Sequence, residues 1–201
     1  MNIRPWTWTT ALLMSLGLTA SLAAFADDEE EDEEEGEEEG EHEGRGRFGR
    51  GSLASGVAPV SDALTAAECG SCHMAYAPGL LPARSWVALM GGLGDHFGDV
   101  AELPQAQVQA ITRYLVSNAA DTRPDHAIAA RVAASVDPYQ TPLRILEVPW
   151  LRHEHDEIPA RLGVKNPEVG SMSNCATCHP SADQGTFQED DVRIPGGGRW
   201  E

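Results

Sequence analysis

In Cys69-Gly70-Ser71-Cys72-His73, and again in Cys175-Ala176-Thr177-Cys178-His179, the chain repeats one five-residue pattern that uses all four of its cysteines. Cys-x-x-Cys-His is the attachment signature of c-type haem. Each thiol of such a motif adds across a vinyl group of the haem, and the adjacent histidine binds the iron axially. The sequence therefore predicts two covalently bound haems (iron), attached through Cys69, Cys72, Cys175 and Cys178, with His73 and His179 as iron ligands.

A zinc site and disulfide bonds are weaker interpretations of the same cysteines. One structural zinc ion would bind both Cys-x-x-Cys pairs, which are then commonly about 15–20 residues apart. Half the chain separates Cys72 from Cys175, and zinc would leave the histidine after each pair unexplained. Disulfides form in exported proteins, but a spacing of two residues is more typical of redox motifs than of structural bridges.

The beginning of the chain has the pattern of an export signal. Arg4 precedes an apolar run from Ala11 to Ala24, and Ala24-Phe25-Ala26 is a small-x-small cleavage pattern. We expect residues 1–26 to be removed after Ala26 and the protein to be periplasmic, because covalent haem attachment is completed outside the cytoplasm. An uncleaved anchor is the alternative, but the run is shorter than the ~20 residues that span a bilayer. The mature chain is expected to have no membrane span.

Residues 27–58 form a strongly acidic segment and a linker. Asp27 to Glu43 contains 14 of the 32 acidic residues, and a Gly/Arg stretch follows at residues 44–51. Such a block of like charge buries too little apolar surface to fold, so we expect a disordered arm. It is either a solvated spacer or an electrostatic arm that steers a basic partner or weakly binds divalent cations. No nucleic-acid partner is expected for a chain with a formal charge of −18.

Apolar spacing in the remainder predicts a mainly α fold. The predicted helices run from a Ser61-Asp62 cap to Cys69, over 83–90, from Pro104 with Val108, Ile111 and Leu115 on one stripe, and from Pro124 with Ile128, Val132 and Val136. A helix that leads into Cys-x-x-Cys-His, then loops and a striped helix, is the plan of a small c-type cytochrome domain. We therefore expect such an N-terminal domain over 59–121 with haem one. A smaller, irregular C-terminal domain over 122–201 is expected to bind haem two, because periodicity is weak after Pro138.

The second axial ligand of each iron decides the redox chemistry, since a methionine raises the reduction potential and a second histidine leaves it lower. The candidates are His96, His126, His153, His155, Met74, Met90 and Met172. Met90 lies on an apolar helical stripe, where a methionine is typically a core residue. His96 lies in Gly94-Asp95-His96-Phe97-Gly98, a glycine-flanked loop that can present its ring to a haem.

His153 and His155 flank Glu154, and Asp156-Glu157 follow. Residues two apart share a side of a strand but lie on different faces of a helix. Neighbouring carboxylates can accept the second ring N–H of a ligating histidine and raise its basicity. We expect one of the two histidines to bind the second iron, and the residues alone leave the choice open.

The chain from Glu68 to about Pro195 resembles the bacterial dihaem cytochrome c family. The resemblance is carried, in order, by Glu68-Cys69-Gly70-Ser71-Cys72-His73-Met74-Ala75-Tyr76, Pro78-Gly79-Leu80-Leu81-Pro82-Ala83-Arg84-Ser85-Trp86, His96-Phe97-Gly98, Tyr114-Leu115, Asn118-Ala119-Ala120-Asp121, His155-Asp156-Glu157-Ile158-Pro159 and Asn174-Cys175-Ala176-Thr177-Cys178-His179. The Pro-Gly-Leu-Leu-Pro-Ala-Arg-Ser-Trp stretch is not a generic haem motif. The acidic run has no counterpart in the family pattern.

The resemblance implies a periplasmic electron carrier in which both haems have two histidine ligands and low potentials. Residue by residue, it implies His96 as the distal ligand of haem one and His155 as that of haem two. It also implies redox partners such as a small monohaem cytochrome or a membrane b-type cytochrome. We expect a monomer and no enzymatic activity. The alternative is a dihaem peroxidase or oxidase, which would keep one iron position open.

Overall fold

Residues 54–199 are described by a computed structural model of the chain. They form six α-helices: α1 (Ala63–Cys69), α2 (Ala83–Gly91), α3 (Gln105–Ser117), α4 (Ala127–Ser135), α5 (Pro149–Asp156) and α6 (Cys175–Cys178). Short 3₁₀ turns lie between them, at Pro78–Leu80, Leu93–Asp95, Ile145–Glu147, Ala182–Gln184 and Glu189–Asp191. Near the end, β1 (Arg193–Ile194) pairs antiparallel with β2 (Gly198–Arg199). The predicted mainly α fold is confirmed.

The described range bears on the predictions made for the start of the chain. The predicted signal peptide and the acidic run lie outside the described residues. Val57, which falls in the predicted linker, is 2 % exposed and belongs to the hydrophobic core. Within residues 54–199, no helix is long and apolar enough to cross a membrane.

Helix α1 begins and ends where its sequence predicts. The Asp62 side chain accepts hydrogen bonds from the Thr65 backbone N–H at 2.8 Å and from the Thr65 hydroxyl at 2.7 Å, which satisfies one of the free donors of the first turn. At the other end, Gly70 N–H donates to the Ala66 carbonyl. The helix therefore delivers Cys69 and the rest of the first haem motif at its C-terminus.

Helices α2 and α3 pack against each other and form the centre of the core. The stripe predicted for α3 is buried at Ile111 and Leu115, which are 0 % and 2 % exposed. In α2 the Trp86 indole N–H donates to the Pro78 carbonyl at 2.8 Å, so this buried ring has its polar atom paired. These contacts hold the Pro78–Leu80 turn on the helix pair.

Arg84 connects α2 with the segment that follows α4. Its guanidinium donates to the carbonyls of Asp137 and Gln140 at 2.8 and 2.5 Å and lies 3.5 Å from the Asp121 carboxylate. Asp121 in turn accepts the Ala83 backbone N–H, the first of α2. Arg84 thus joins the start of α2 to Asp121 and to the segment that contains Asp137 and Gln140.

Helices α5 and α6 depart from the sequence-based expectation, and α4 begins at Ala127 instead of at Pro124. The region after Pro138 was expected to be irregular, yet α5 begins at Pro149 and continues to Asp156. Proline at the first helical position costs no hydrogen bond, because that N–H has no partner inside the helix. Pro149 therefore opens a helix, and Leu151 is buried on its inner face.

The core is continuous across the boundary that the sequence predicts at residue 121. Ile111 and Leu115 belong to the same buried cluster as Val132, Val148 and Leu151. Helix α4 also packs on the Pro78–Leu80 turn. A division into domains at this position stays a prediction.

The two ends of the described chain cross at a pair of glycines. Val57 N–H donates to the Gly185 carbonyl at 2.9 Å, and both Gly56 and Gly185 have positive φ, +75° and +74°. A β-carbon on Gly185 would lie 1.9 Å from the Val57 carbonyl oxygen, and one on Gly56 would lie 2.2 Å from the Gly185 oxygen. Only glycine lets the two backbones approach this closely.

Gly185→Ala is expected to destabilise the protein strongly, because the new methyl group would meet backbone atoms that cannot rotate away. Gly196→Ala is the matched control, since Gly196 has a similar φ of +71° but open space around it. The control should lose only the ~1–2 kcal/mol of a left-handed non-glycine residue. Chemical denaturation of the two holoprotein variants measures the difference, and equal losses would contradict the crossing as described.

Candidate functional site

The first haem motif follows the end of α1, and a backbone contact fixes the tautomer of its histidine, His73. Nδ1 of His73 lies 2.7 Å from the Met74 carbonyl oxygen, which can only accept, so Nδ1 carries the proton. Nε2 is then left with a free lone pair, as an iron ligand requires. Cys69 is half-buried, and burial followed by the Glu68 carboxylate raises the pKa of its thiol. Cys72 is exposed.

His96 lies in a tight loop stabilised by its own backbone. His96 N–H donates to the Asp99 carbonyl at 2.7 Å, and the Asp95 carboxylate accepts the Gly98 N–H at 2.9 Å. Phe97 has a φ of +61°, which is uncommon for a residue with a side chain. This strained conformation places the His96 and Phe97 rings next to each other, with their centroids 4.9 Å apart.

The structure brings His96 and His73 together. Their ring centroids are 6.3 Å apart and the ring planes differ by 17°. Two metal–imidazole bonds of about 2.0 Å, with roughly 1 Å from each nitrogen to its ring centre, place two trans histidine rings about 6 Å apart. The observed spacing therefore leaves room for one metal ion between the rings.

The second haem motif lines a cavity of about 360 Å³, within the usual range for cofactor sites. Cys175 and Cys178 lie at the two ends of α6, and His179 follows directly. Apolar side chains complete much of the wall, among them Leu80, Ile128, Ile145, Trp150, Leu151, Val169 and Phe187. Burial raises the pKa of both thiols, which favours their protonated forms.

The two histidines of helix α5, His153 and His155, lie in different environments. His155 faces the cavity, and its Nδ1 lies 2.7 Å from the Leu151 carbonyl oxygen, which again leaves Nε2 free. The His155 ring is 6.1 Å from that of His179, at an interplanar angle of 72°. His153 also borders the cavity but has 76 % of its side chain exposed and bonds to Asp156. His155 is thus the one with a facing histidine partner.

The residues present fit haem at both sites. Each site combines two thiols, a histidine that follows them and a second histidine at the spacing of a shared metal. At the second site His179 Nδ1 is buried without a hydrogen-bond partner. Burial, followed by the facing histidine, lowers the pKa of both His96 and His179, which favours the neutral rings that bind metals.

The other candidate ligands lie elsewhere or lack a facing motif histidine. Met90 is 7 % exposed in the core beside Trp86. His126 precedes α4 and lies 3.1 Å from the Asp125 carboxylate. Met172 lines the second cavity. Met74 carries the carbonyl that fixes the His73 tautomer.

Two contacts at the sites had no signal in the sequence, because each joins residues far apart in the chain. The Arg144 guanidinium lies over the Phe97 ring, 4.0 Å from its centroid. The Tyr76 ring stacks on His73 at 4.9 Å, and its hydroxyl donates to the Ser173 carbonyl at 2.5 Å. Burial, followed by the Cys175 sulfur, raises the pKa of Tyr76 to about 12, so the phenol keeps its proton at neutral pH.

Comparisons with known proteins agree with this geometry. The family model for dihaem cytochrome c matches residues 65–187, more than half of the chain. A dihaem cytochrome c from Shewanella baltica is 42 % identical, with a TM-score of 0.57 over 69 % of this chain and 97 % of that one. One from Rhodobacter sphaeroides is 45 % identical, with a TM-score of 0.57 over 68 % of this chain and 100 % of that one. A comparison with curated proteins gave no match.

Two attachment motifs on a mainly helical scaffold define a c-type haem protein. The chain belongs to the dihaem cytochrome c family. It is accordingly a haem electron carrier with two covalently bound c-type haems, which exchange single electrons with redox partners. The cofactor predictions made from the cysteine motifs are confirmed at this level.

Arg144→Met is expected to lower one of the two reduction potentials while leaving the other unchanged. The oxidised haem carries one more positive charge than the reduced one, so removing a nearby cation favours oxidation. The shift should be on the order of 20 mV, since exposed charges interact by about half a kcal/mol. Arg113→Met, on the exposed face of α3, is the control. Redox titration measures both, and equal effects of the two variants would contradict a local role for Arg144.

Proposed function

We propose that this protein is a periplasmic carrier of single electrons whose two haems are each bound by two histidines and have low potentials. His73 and His96 would bind the iron of haem one, and His179 and His155 that of haem two. Cys69, Cys72, Cys175 and Cys178 would form the thioethers. The observation that carries the proposal is the spacing of the two histidine pairs, 6.3 and 6.1 Å between ring centroids.

Capping both irons with imidazole favours electron transfer over bond chemistry. A six-coordinate iron has no open position for peroxide or oxygen, whereas activation of these molecules requires one. Two neutral imidazoles also leave the potential lower than an imidazole and a thioether. A dihaem peroxidase would need His96 or His155 to leave the position that faces its partner ring.

The backbone fixes one proposed ligand of each pair, His73 at the first site and His155 at the second. The carbonyls of Met74 and Leu151 hold the Nδ1 protons of His73 and His155, so these rings cannot adopt the other tautomer without losing a hydrogen bond. Such bonds raise the basicity of a ligand and orient its ring. A site held this way changes little in shape when one electron enters or leaves, which speeds transfer.

Charges around the two sites support different potentials. Arg144 lies over Phe97, next to His96, whereas the cavity of the second site is bordered by Glu154, Glu157 and Glu189. A nearby cation favours the reduced haem and nearby carboxylates favour the oxidised one. Carboxylates also lie at the first site, at Glu68, Asp95 and Asp99, so the Arg144 guanidinium is the charge on which we expect the two potentials to differ.

Export of the protein belongs to the same proposal. Thioether formation in c-type cytochromes is completed outside the cytoplasm, and residues 1–26 have the composition of a cleavable signal. A small monohaem cytochrome or a membrane b-type cytochrome would be a partner of fitting redox chemistry.

His155→Ala is expected to leave haem two without its distal ligand. The oxidised protein should then show a high-spin component in its absorption spectrum that accounts for one of the two haems. His153→Ala is the matched control on the same helix, because His153 points to solvent. His96→Ala should have the equivalent effect on haem one. An unchanged low-spin spectrum in His155→Ala, or a changed one in His153→Ala, would reject the ligand assignment.

Electron paramagnetic resonance of the oxidised wild-type protein should show two different low-spin signals. Nearly parallel imidazole planes act on the same iron d orbital and split the pair, which gives a rhombic signal, as expected for the 17° pair His73–His96. Crossed planes act on both orbitals and leave them nearly equal, which gives one large g value, as expected for the 72° pair His155–His179. Two identical signals would contradict the ring geometry.

A further inference from the structure

Tyr76 is a side chain that touches both haem sites. Its ring lies 4.9 Å from that of His73, at an interplanar angle of 27°. Its hydroxyl donates to the Ser173 carbonyl at 2.5 Å, across 97 positions of sequence. Ser173 lies two residues before Cys175, and the Cys175 thiol itself lies 3.6 Å from the same carbonyl oxygen.

This contact gives a short connection from one site to the other. The connection runs from the His73 ring through a ring stack to Tyr76, through one hydrogen bond to Ser173, and through the covalent backbone to Cys175. Electron tunnelling decays steeply across empty space and more slowly through bonds and hydrogen bonds. The hydroxyl bond is therefore the link that joins the segment of the first motif to the segment of the second.

The same contact also holds the two sites at a fixed distance. Helix α1 places the first motif, whereas the second motif lies in a loop-rich segment after Pro159. A hydrogen bond between segments that are 97 positions apart restricts their relative movement. Without the hydroxyl, the loop at Ser173 would be held near His73 by packing alone.

We propose that Tyr76 couples the two haem sites, so that the rate of electron exchange between the haems depends on its hydroxyl group. This inference rests on the proposed function, because it takes both haems as stations for single electrons. In each exchange one haem loses one electron and the other gains it. Tyr76 keeps its proton and its electrons throughout.

Tyr76→Phe is the direct test, because it keeps the ring on His73 and removes only the hydrogen bond. Line broadening of haem methyl resonances in half-reduced protein, at several protein concentrations, measures the intramolecular exchange rate. We expect this rate to fall by about fivefold or more. One hydrogen bond contributes about 1 kcal/mol, which changes the population of the connected arrangement by this factor. Tyr139→Phe is the matched control, since Tyr139 is 97 % exposed.

The histidine ligation of the two irons is tested separately from the electron exchange between the haems. Low-spin absorption spectra of wild type and Tyr76→Phe establish whether both irons have two histidines, and a high-spin wild-type spectrum would defeat the proposed function alone. A Tyr76→Phe protein that is low-spin, less stable to heat, but exchanges electrons as fast as Tyr139→Phe would show a purely structural tyrosine and overturn the inference.

The wild-type protein offers a second measurement if Tyr76→Phe does not mature. Low-spin ferrous haems are diamagnetic, so the reduced protein gives sharp proton resonances. The Tyr76 ring protons should show nuclear Overhauser effects to Ser173, because the hydroxyl bond holds the two residues together. Absence of these effects would overturn the coupling.

Discussion

Two histidines that bind one haem iron must hold their ring centres about 6 Å apart. The proposed ligation depends on this distance at both sites. The chain meets it twice, at 6.3 and 6.1 Å. The means differ: a strained loop presents His96, whereas a regular helix presents His155. In the proposed ligation the cysteine motifs supply His73 and His179, and the rest of the fold would place His96 and His155 opposite them.

Two elements illustrate how the scaffold meets that demand. The loop of His96 uses a left-handed Phe97 and a backbone pairing with Asp99, and Arg144 covers the exposed ring. Helix α5 starts at a proline, buries Leu151 and uses that residue's carbonyl to fix the His155 tautomer. Strain is tolerated at the first site, while ordinary helix geometry suffices at the second.

The sequence predicted the parts of the fold that depend on local patterns. The Asp62 cap, the buried stripe of α3 and both cysteine motifs follow from spacing within a few residues. Helix α5 has no signal in the apolar spacing, because periodicity is weak after Pro138, although a proline in the first turn is compatible with a helix that begins there. The links from Arg144 to Phe97 and from Tyr76 to Ser173 join distant segments, and no local pattern encodes them. The distal ligands were proposed from the family resemblance, and the facing rings now support them.

The crossing of Gly56 and Gly185 sets an order for the making of the molecule. It joins positions that enclose both cysteine motifs, and contacts between such distant residues form late because the loop entropy must be lost first. The crossing therefore closes a loop that contains both thiol pairs, and a chain in which it forms late keeps the two pairs on one open segment until the end of folding.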